Sequence, residues 1–254
     1  MKKFDSNLFM IFLLIIAAFY FVIGIILNIS LNETVFLMGF VLIFLIIVVI
    51  HGLKTLGLRE FLVFFIIAYS ITLLYEYTEG LGFGTLANCI PYYSNLLGPK
   101  FLDKIPYIIP LVWSLALYCS FTMTNIIFNR LKTYHRFEEK VSGKWFLKII
   151  GMGLITGLIM ASCDLINDPV MVKIGAWNWS YSGSYYGIPL WNYETWVEIP
   201  ALVFLLFSYY LFKIKKRQIY IGGEKQSNYT LFVVILYITL LVIYGVYAVF
   251  EDVT

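Results

Sequence analysis

The stretch REFLVFFIIAYSITLLYEYTEG, residues 59–80, decides the fold. No charge interrupts it between Glu60 and Glu76, and the apolar run reads as a helix over 59–77. That is close to the ~20 residues needed to cross a hydrocarbon core. Two carboxylates, Glu76 and Glu79, close the run in YEYTEG, and their i, i+3 spacing puts both on one face if the helix reaches Glu79.

Working outward, runs of the same kind recur at 8–28, 35–53, 106–129, 146–165, 195–213 and 229–249. A backbone in lipid must satisfy its own hydrogen bonds, so each run reads as a helix, and the alternation of a barrel strand is absent. Composition agrees: 61% of the 254 residues are hydrophobic, 13% are charged, and mean hydropathy is +0.86. Soluble domains carry about a quarter charged residues, so lipid is the solvent for most of this chain. The expectation is an all-α integral membrane protein, a single domain over 1–254 with seven transmembrane helices. The first run has no small-residue cleavage site after it and reads as a retained helix.

Lysine and arginine set the orientation. With the N-terminus inside, the inner segments hold Lys2 and Lys3, Lys54 and Arg59, Arg130 to Lys144, and Lys213 to Lys225. Outside fall Lys100, Lys104 and Lys173, with Glu251 and Asp252 at an outer C-terminus. The basic inner loops read as this topology signal and not as a nucleic-acid surface. A multi-pass protein of the cell membrane follows, with membrane lipid as its surroundings.

Two outer loops, 78–105 and 166–194, are too long for connectors, and long loops in compact proteins are usually functional. The second concentrates Trp177, Trp179, Tyr181, Tyr185, Tyr186, Trp191, Tyr193 and Trp196, beyond what an interfacial aromatic belt needs. Acids mark the same side. Asp164 and Asp168 stand four apart in DLINDP, where Pro169 predicts a helix end at Asp168. Glu194 and Glu198 open the sixth helix ahead of Pro200. Glu194 suits a helix start, whereas Glu76 and Asp164 stand at the unfavourable end of the dipole. Ionisable groups in a bilayer are costly and mark function by default. Carboxyl groups meeting in a low-dielectric pocket cannot all ionise, which supplies a general acid beside a base.

His51 and His135 lie on the inner side and have no ligand spacing, so no metal is expected. GLGFG lacks the lysine and the strand-to-helix setting of a phosphate loop, and no cofactor is expected. Cys89, Cys119 and Cys163 form no redox pair by spacing, though a Cys89–Cys163 bridge near the outer face is open.

FG at 83–84 with LGPKFLDKIPYIIPLVW at 97–113, then DLINDP at 164–169 with WNWSYSGSYYGIPLWNYETW at 177–196, resemble the two signatures of carotenoid biosynthesis membrane proteins. That family includes hydratases of fifty-carbon, bacterioruberin-type carotenoids. The resemblance covers roughly 76–200, and it departs at Thr195, where glycine is expected, and in a shortened stretch from Glu76 to Phe83. It implies roles for Asp164, Asp168, Trp177, Trp179, Gly183, Tyr185, Tyr186, Gly187, Pro189, Asn192 and Trp196.

The implied reaction is cofactor-independent hydration of a terminal double bond on a long isoprenoid, a lyase-type chemistry. Asp164 or Asp168 is the expected acid, with Glu76 or Glu79 as partner. Trp177, Trp179, Tyr185 and Tyr186 would line the cation site, with Asn192, Trp196 and Glu198 as further substrate contacts. Isomerisation or cyclisation uses the same first step. The rival reading is a non-catalytic isoprenoid-binding or transport protein, against which stand the lack of an internal repeat and of mid-membrane polar breaks. A retinal-binding receptor is excluded by the absence of a lysine in the seventh run.

Overall fold

A computed structural model describes residues 33–79, 91–130 and 143–214. The expected helices at 8–28 and 229–249 lie outside the described residues, as does Cys89. Five helices are described: α1 (Glu33–Thr55), α2 (Leu58–Glu79), α3 (Ile108–Arg130), α4 (Gly143–Lys173) and α5 (Leu190–Tyr209). Among the described residues, four segments are long and apolar enough to cross a membrane, namely Leu58–Glu79, Ile108–Phe128, Phe146–Lys173 and Leu190–Phe212. Gly57, at φ +86°, makes the tight turn between α1 and α2, a conformation that glycine adopts without penalty.

The core of the bundle is aromatic. Phe64 meets Tyr118, Phe121 and Phe207 at centroid distances of 5.6, 5.3 and 5.1 Å. His51 Nδ1 and Thr55 Oγ1 lie 2.7 and 2.8 Å from the Tyr118 hydroxyl, so His51 is buried and hydrogen-bonded within the bundle. The tightest helix contact joins α4 to α5. A Cβ at Gly157 would lie 2.5 Å from the Val197 carbonyl oxygen, and one at Gly153 would lie 3.0 Å from Ala201 Cα. Glycines four apart let the two backbones touch, as in close transmembrane pairs generally.

Two of the boundaries that differ from the sequence expectation bear on the site. α4 does not stop at Asp168 but continues through Pro169 to Lys173. Proline removes the N–H that would bond the carbonyl four residues back. That carbonyl belongs to Leu165, and the Tyr185 hydroxyl donates to it at 2.9 Å. A side chain from the following loop therefore fills the gap, and the helix survives its proline. α5 in turn begins at Leu190, so Glu194 and Glu198 lie within it instead of opening it. The connection between the helices is thus much shorter than 166–194.

α4 closes in a Schellman motif. Gly175, at φ +70°, donates to Val172 O at 3.0 Å, and Ala176 N–H donates to Met171 O at 2.9 Å. The chain leaves directly into β4 (Trp177–Trp179), which pairs antiparallel with β1 (Pro91–Tyr93) in the register Tyr93↔Trp177 and Pro91↔Trp179. Strand alternation puts Tyr93 and Trp177 on one face and leaves Tyr92 and Asn178 exposed on the other. A second small ribbon, β2 (Lys100–Phe101) with β3 (Ile105–Pro106), turns through Leu102 and Asp103 at positive φ. Lys100 Nζ donates to the Tyr93 carbonyl at 2.6 Å and ties the two ribbons together.

Candidate active site

The ribbon β1–β4 covers one end of the bundle, where the carboxylate-bearing parts of α2 and α4 meet the start of α5. On α4, Asp164 and Asp168 are one turn apart and share a face. Asn192, in the first turn of α5, reaches both because Gly153 and Gly157 bring the helices together. Its Nδ2 donates to Asp164 Oδ2 at 3.0 Å and to Asp168 Oδ2 at 2.6 Å. Trp177 Nε1 donates to the remaining Asp168 oxygen, Oδ1, at 3.0 Å. Both Asp168 oxygens are therefore engaged. Asp164 is 1% exposed, and its Oδ1 is buried with no hydrogen-bond partner among the described residues.

The α2 carboxylates are held by phenols. Tyr93 donates to Glu76 Oε2 at 2.6 Å, and Tyr75 donates to Glu79 Oε1 at 2.5 Å. Burial pushes the Tyr93 hydroxyl well above its ordinary value of 10.0, and charge at Glu76 pushes the same way. Tyr93 is thus a permanent donor, fixing Glu76 from the strand above.

All four acids border one cavity of about 130 Å³. Tyr93, Trp177, Trp179, Asn192 and Thr195 complete its polar side. Apolar lining comes from Val41 and Phe44 of α1 with Ile108, Val112 and Trp113 of α3. Trp113 stacks on Trp196 with centroids 3.9 Å apart and an interplanar angle of 25°. A cavity of ~150 Å³ accommodates a benzene ring, so this one holds one end group of a long molecule and not its length. Carboxyl groups and indole rings bordering one cavity can deliver a proton and stabilise the positive charge that results.

Not every expected site residue converges here. Asp164, Asp168, Glu76, Glu79, Trp177, Trp179, Asn192 and Trp196 all border the cavity. Tyr185 does not, because its hydroxyl is committed to Leu165, and Tyr186 is 65% exposed. These tyrosines belong to a hairpin turn, with Tyr186 at φ +49° and Gly187 at φ +80°, closed by Ile188 N–H to Tyr185 O at 2.8 Å. Any side chain at Gly183 would collide with the Ile188 carbonyl. The G-x-Y-Y-G pattern thus builds a turn and leaves the cavity wall to other residues. Glu194 and Glu198 are exposed, because Asn192, Thr195 and Trp196 recur at i, i+3, i+4 and claim the buried face of α5.

Among the cavity residues that the sequence does not single out as substrate contacts are Tyr93, Trp113 and Thr195. Tyr93 sits in PYY, whose strand alternation is too short to notice. Trp113 ends the first signature stretch, where it reads as one more apolar residue of a helix. Thr195 stood out only as a departure, yet it borders the cavity and donates to Asn192 O at 2.6 Å.

The sequence profile of a family described as carotenoid biosynthesis protein matches residues 34–253. No curated protein gives a significant match, and no solved structure does.

Proposed function

Because this chain belongs to the carotenoid biosynthesis protein family, and so has a role in carotenoid biosynthesis, we propose that it hydrates a terminal C=C of an acyclic carotenoid. The observation that carries the reading is the asymmetry of the aspartate pair. Asn192 occupies Oδ2 of both residues, Trp177 occupies the other oxygen of Asp168, and Asp164 Oδ1 alone is left at a cavity with an apolar wall.

Asp164 is then the general acid, its proton carried on the oxygen that accepts from nothing else. Transfer of that proton to the CH carbon of the terminal isopropylidene group breaks the π bond and forms a C–H bond. The dimethyl-bearing carbon beside it becomes a tertiary cation. Indole faces at Trp113, Trp196, Trp177 and Trp179 stabilise it, each by up to ~2 kcal/mol where water is excluded. Water adds its oxygen to the cation. Its surplus proton passes to a carboxylate, Glu76 being the candidate that Tyr93 holds in place. Return of a proton to Asp164 completes the cycle, so the net reaction is alkene plus water giving a tertiary alcohol.

In this reading the polyene lies among the lipid chains of a multi-pass protein of the cell membrane and only its end enters the cavity. The decisive experiment is expression in a strain accumulating acyclic carotenoid, with mass spectrometry of the pigments. A gain of one water with the native chain, lost in Asp164→Asn while the protein remains inserted and folded, is the expected result. Full turnover by Asp164→Asn would refute the assignment.

A further inference from the structure

Buried polar atoms are paired in nearly all proteins, and an exception at a cavity points to what the cavity receives. Asp164 Oδ1 is one such atom, used above as the acid. Trp179 Nε1 is another: it is buried, has no partner among the described residues, and belongs to a residue bordering the same cavity. An indole N–H can only donate, and a carboxyl oxygen without its proton can only accept. A hydrocarbon end group satisfies neither. Trp179 is held in place, since its ring packs edge-on against Trp191 at 5.4 Å and its backbone pairs with Pro91. The unpaired donor is therefore a fixed feature and not a rotamer accident.

We infer that the cavity contains an oxygen subsite, in which Trp179 Nε1–H donates to a water or hydroxyl oxygen that also meets Asp164, accepting from its carboxyl while the proton is there and donating to it once the proton has left. The inference rests on the hydration reading and names the occupant: first the reacting water, then the tertiary hydroxyl of the product. The hydrated end group brings this oxygen with it, whereas the alkene needs a separate water immobilised there, so the protein holds the alcohol more tightly than the alkene from which it forms. Trp191 supplies an internal control. Its Nε1 is also buried without a partner among the described residues, but Trp191 does not border the cavity.

The test loads the purified full chain in detergent micelles with equal amounts of lycopene and deuterium-labelled 1-hydroxy-1,2-dihydrolycopene. The label ensures that alcohol formed during the experiment is counted as alkene. Chromatography of the retained pigments then gives the ratio of alcohol to alkene. One neutral hydrogen bond changes affinity about fivefold, so the native chain should favour the alcohol by about five or more. Trp179→Phe should bring the ratio to about one, while Trp191→Phe keeps the native ratio. Equal retention of both pigments by the native chain, or a preference that survives Trp179→Phe, overturns the oxygen subsite alone. If neither pigment is retained above empty micelles, the hydration reading falls with it. Should Trp179→Phe not fold, the native ratio decides by itself.

Discussion

Tyr185→Phe should weaken the fold while sparing the chemistry. Pro169 has no N–H, so the Leu165 carbonyl four residues earlier loses its helical partner, and the Tyr185 hydroxyl replaces it at 2.9 Å. This bond lies at a solvent-accessible spot, where its net worth is about 1 kcal/mol, rather than the ~3 kcal/mol of a fully buried unsatisfied group. Pro169→Ala restores an N–H at position 169 and lets the helix close its own bond. In that background the hydroxyl is redundant, and Tyr185→Phe should cost close to nothing. The double-mutant cycle therefore predicts a coupling of about 1 kcal/mol between residues that are far apart in sequence. Unfolding in mixed micelles of dodecylmaltoside and dodecyl sulfate, followed by circular dichroism, measures each corner. Pigment analysis on the same variants should show native turnover in Tyr185→Phe. An equal cost in both backgrounds would remove the proline-gap explanation, and a large loss of turnover would return Tyr185 to the cation site.

Other consequences are as specific. Asn192→Leu keeps the volume but releases both aspartates; a misplacement of ~1 Å can cost about a hundredfold, so kcat should fall by about 10–100-fold with KM little changed in steady-state assays. Gly157→Ala inserts a methyl 2.5 Å from the Val197 carbonyl and should destabilise by about 1–3 kcal/mol. Gly151→Ala, with nothing within 4 Å of the new Cβ, should be neutral or stabilise by up to ~1 kcal/mol in the same unfolding assay. Tyr93 holds its proton above the ordinary value of 10.0, so its contribution is intact below that pH. As pH rises further the unfolded chain ionises before the folded one, and thermal stability of the native chain should decline more steeply than that of Tyr93→Phe. Parallel decline in the two proteins would show that Tyr93 titrates normally.

What the sequence made legible follows the reach of each signal. Charge-free runs located α2 and α3 to within two residues at either end, because hydropathy alone decides a helix in lipid. The runs also brought out Glu76, Asp164 and Asp168, since carboxylates beside such runs are costly. The end of α4 is not legible in the sequence for a definite reason. Pro169 does disfavour helix, and the group that compensates for it, Tyr185, lies in another segment that no local rule connects to Leu165. The same blindness assigned Tyr185 and Tyr186 to the cavity, because an aromatic residue in a motif looks the same whether it faces a substrate or fills a backbone gap. Glu198 was misplaced once α5 was begun at residue 195, which concealed the i, i+3, i+4 set of Asn192, Thr195 and Trp196. Tyr93 and Trp113 depend on pairing between distant segments, and such pairing leaves no periodic trace.

One physical logic links these features to how the site is built. The loop between α4 and α5 carries two kinds of glycine–aromatic pattern with separate duties. Trp177 and Trp179 leave the Schellman turn at Gly175 as a strand and are laid over the carboxyl groups. Gly183, Tyr185 and Gly187 form the return turn that patches Leu165 and delivers the chain to Leu190. Both duties serve one geometric end, since the helix must pass Pro169 for Asp168 to stay on the same face as Asp164. Were α4 to fray at Asp168, the two carboxyl groups could not share the amide of Asn192, and Asp164 Oδ1 would lose its distinction. The acid is therefore defined less by its own position than by every neighbouring atom that has been given something else to bond.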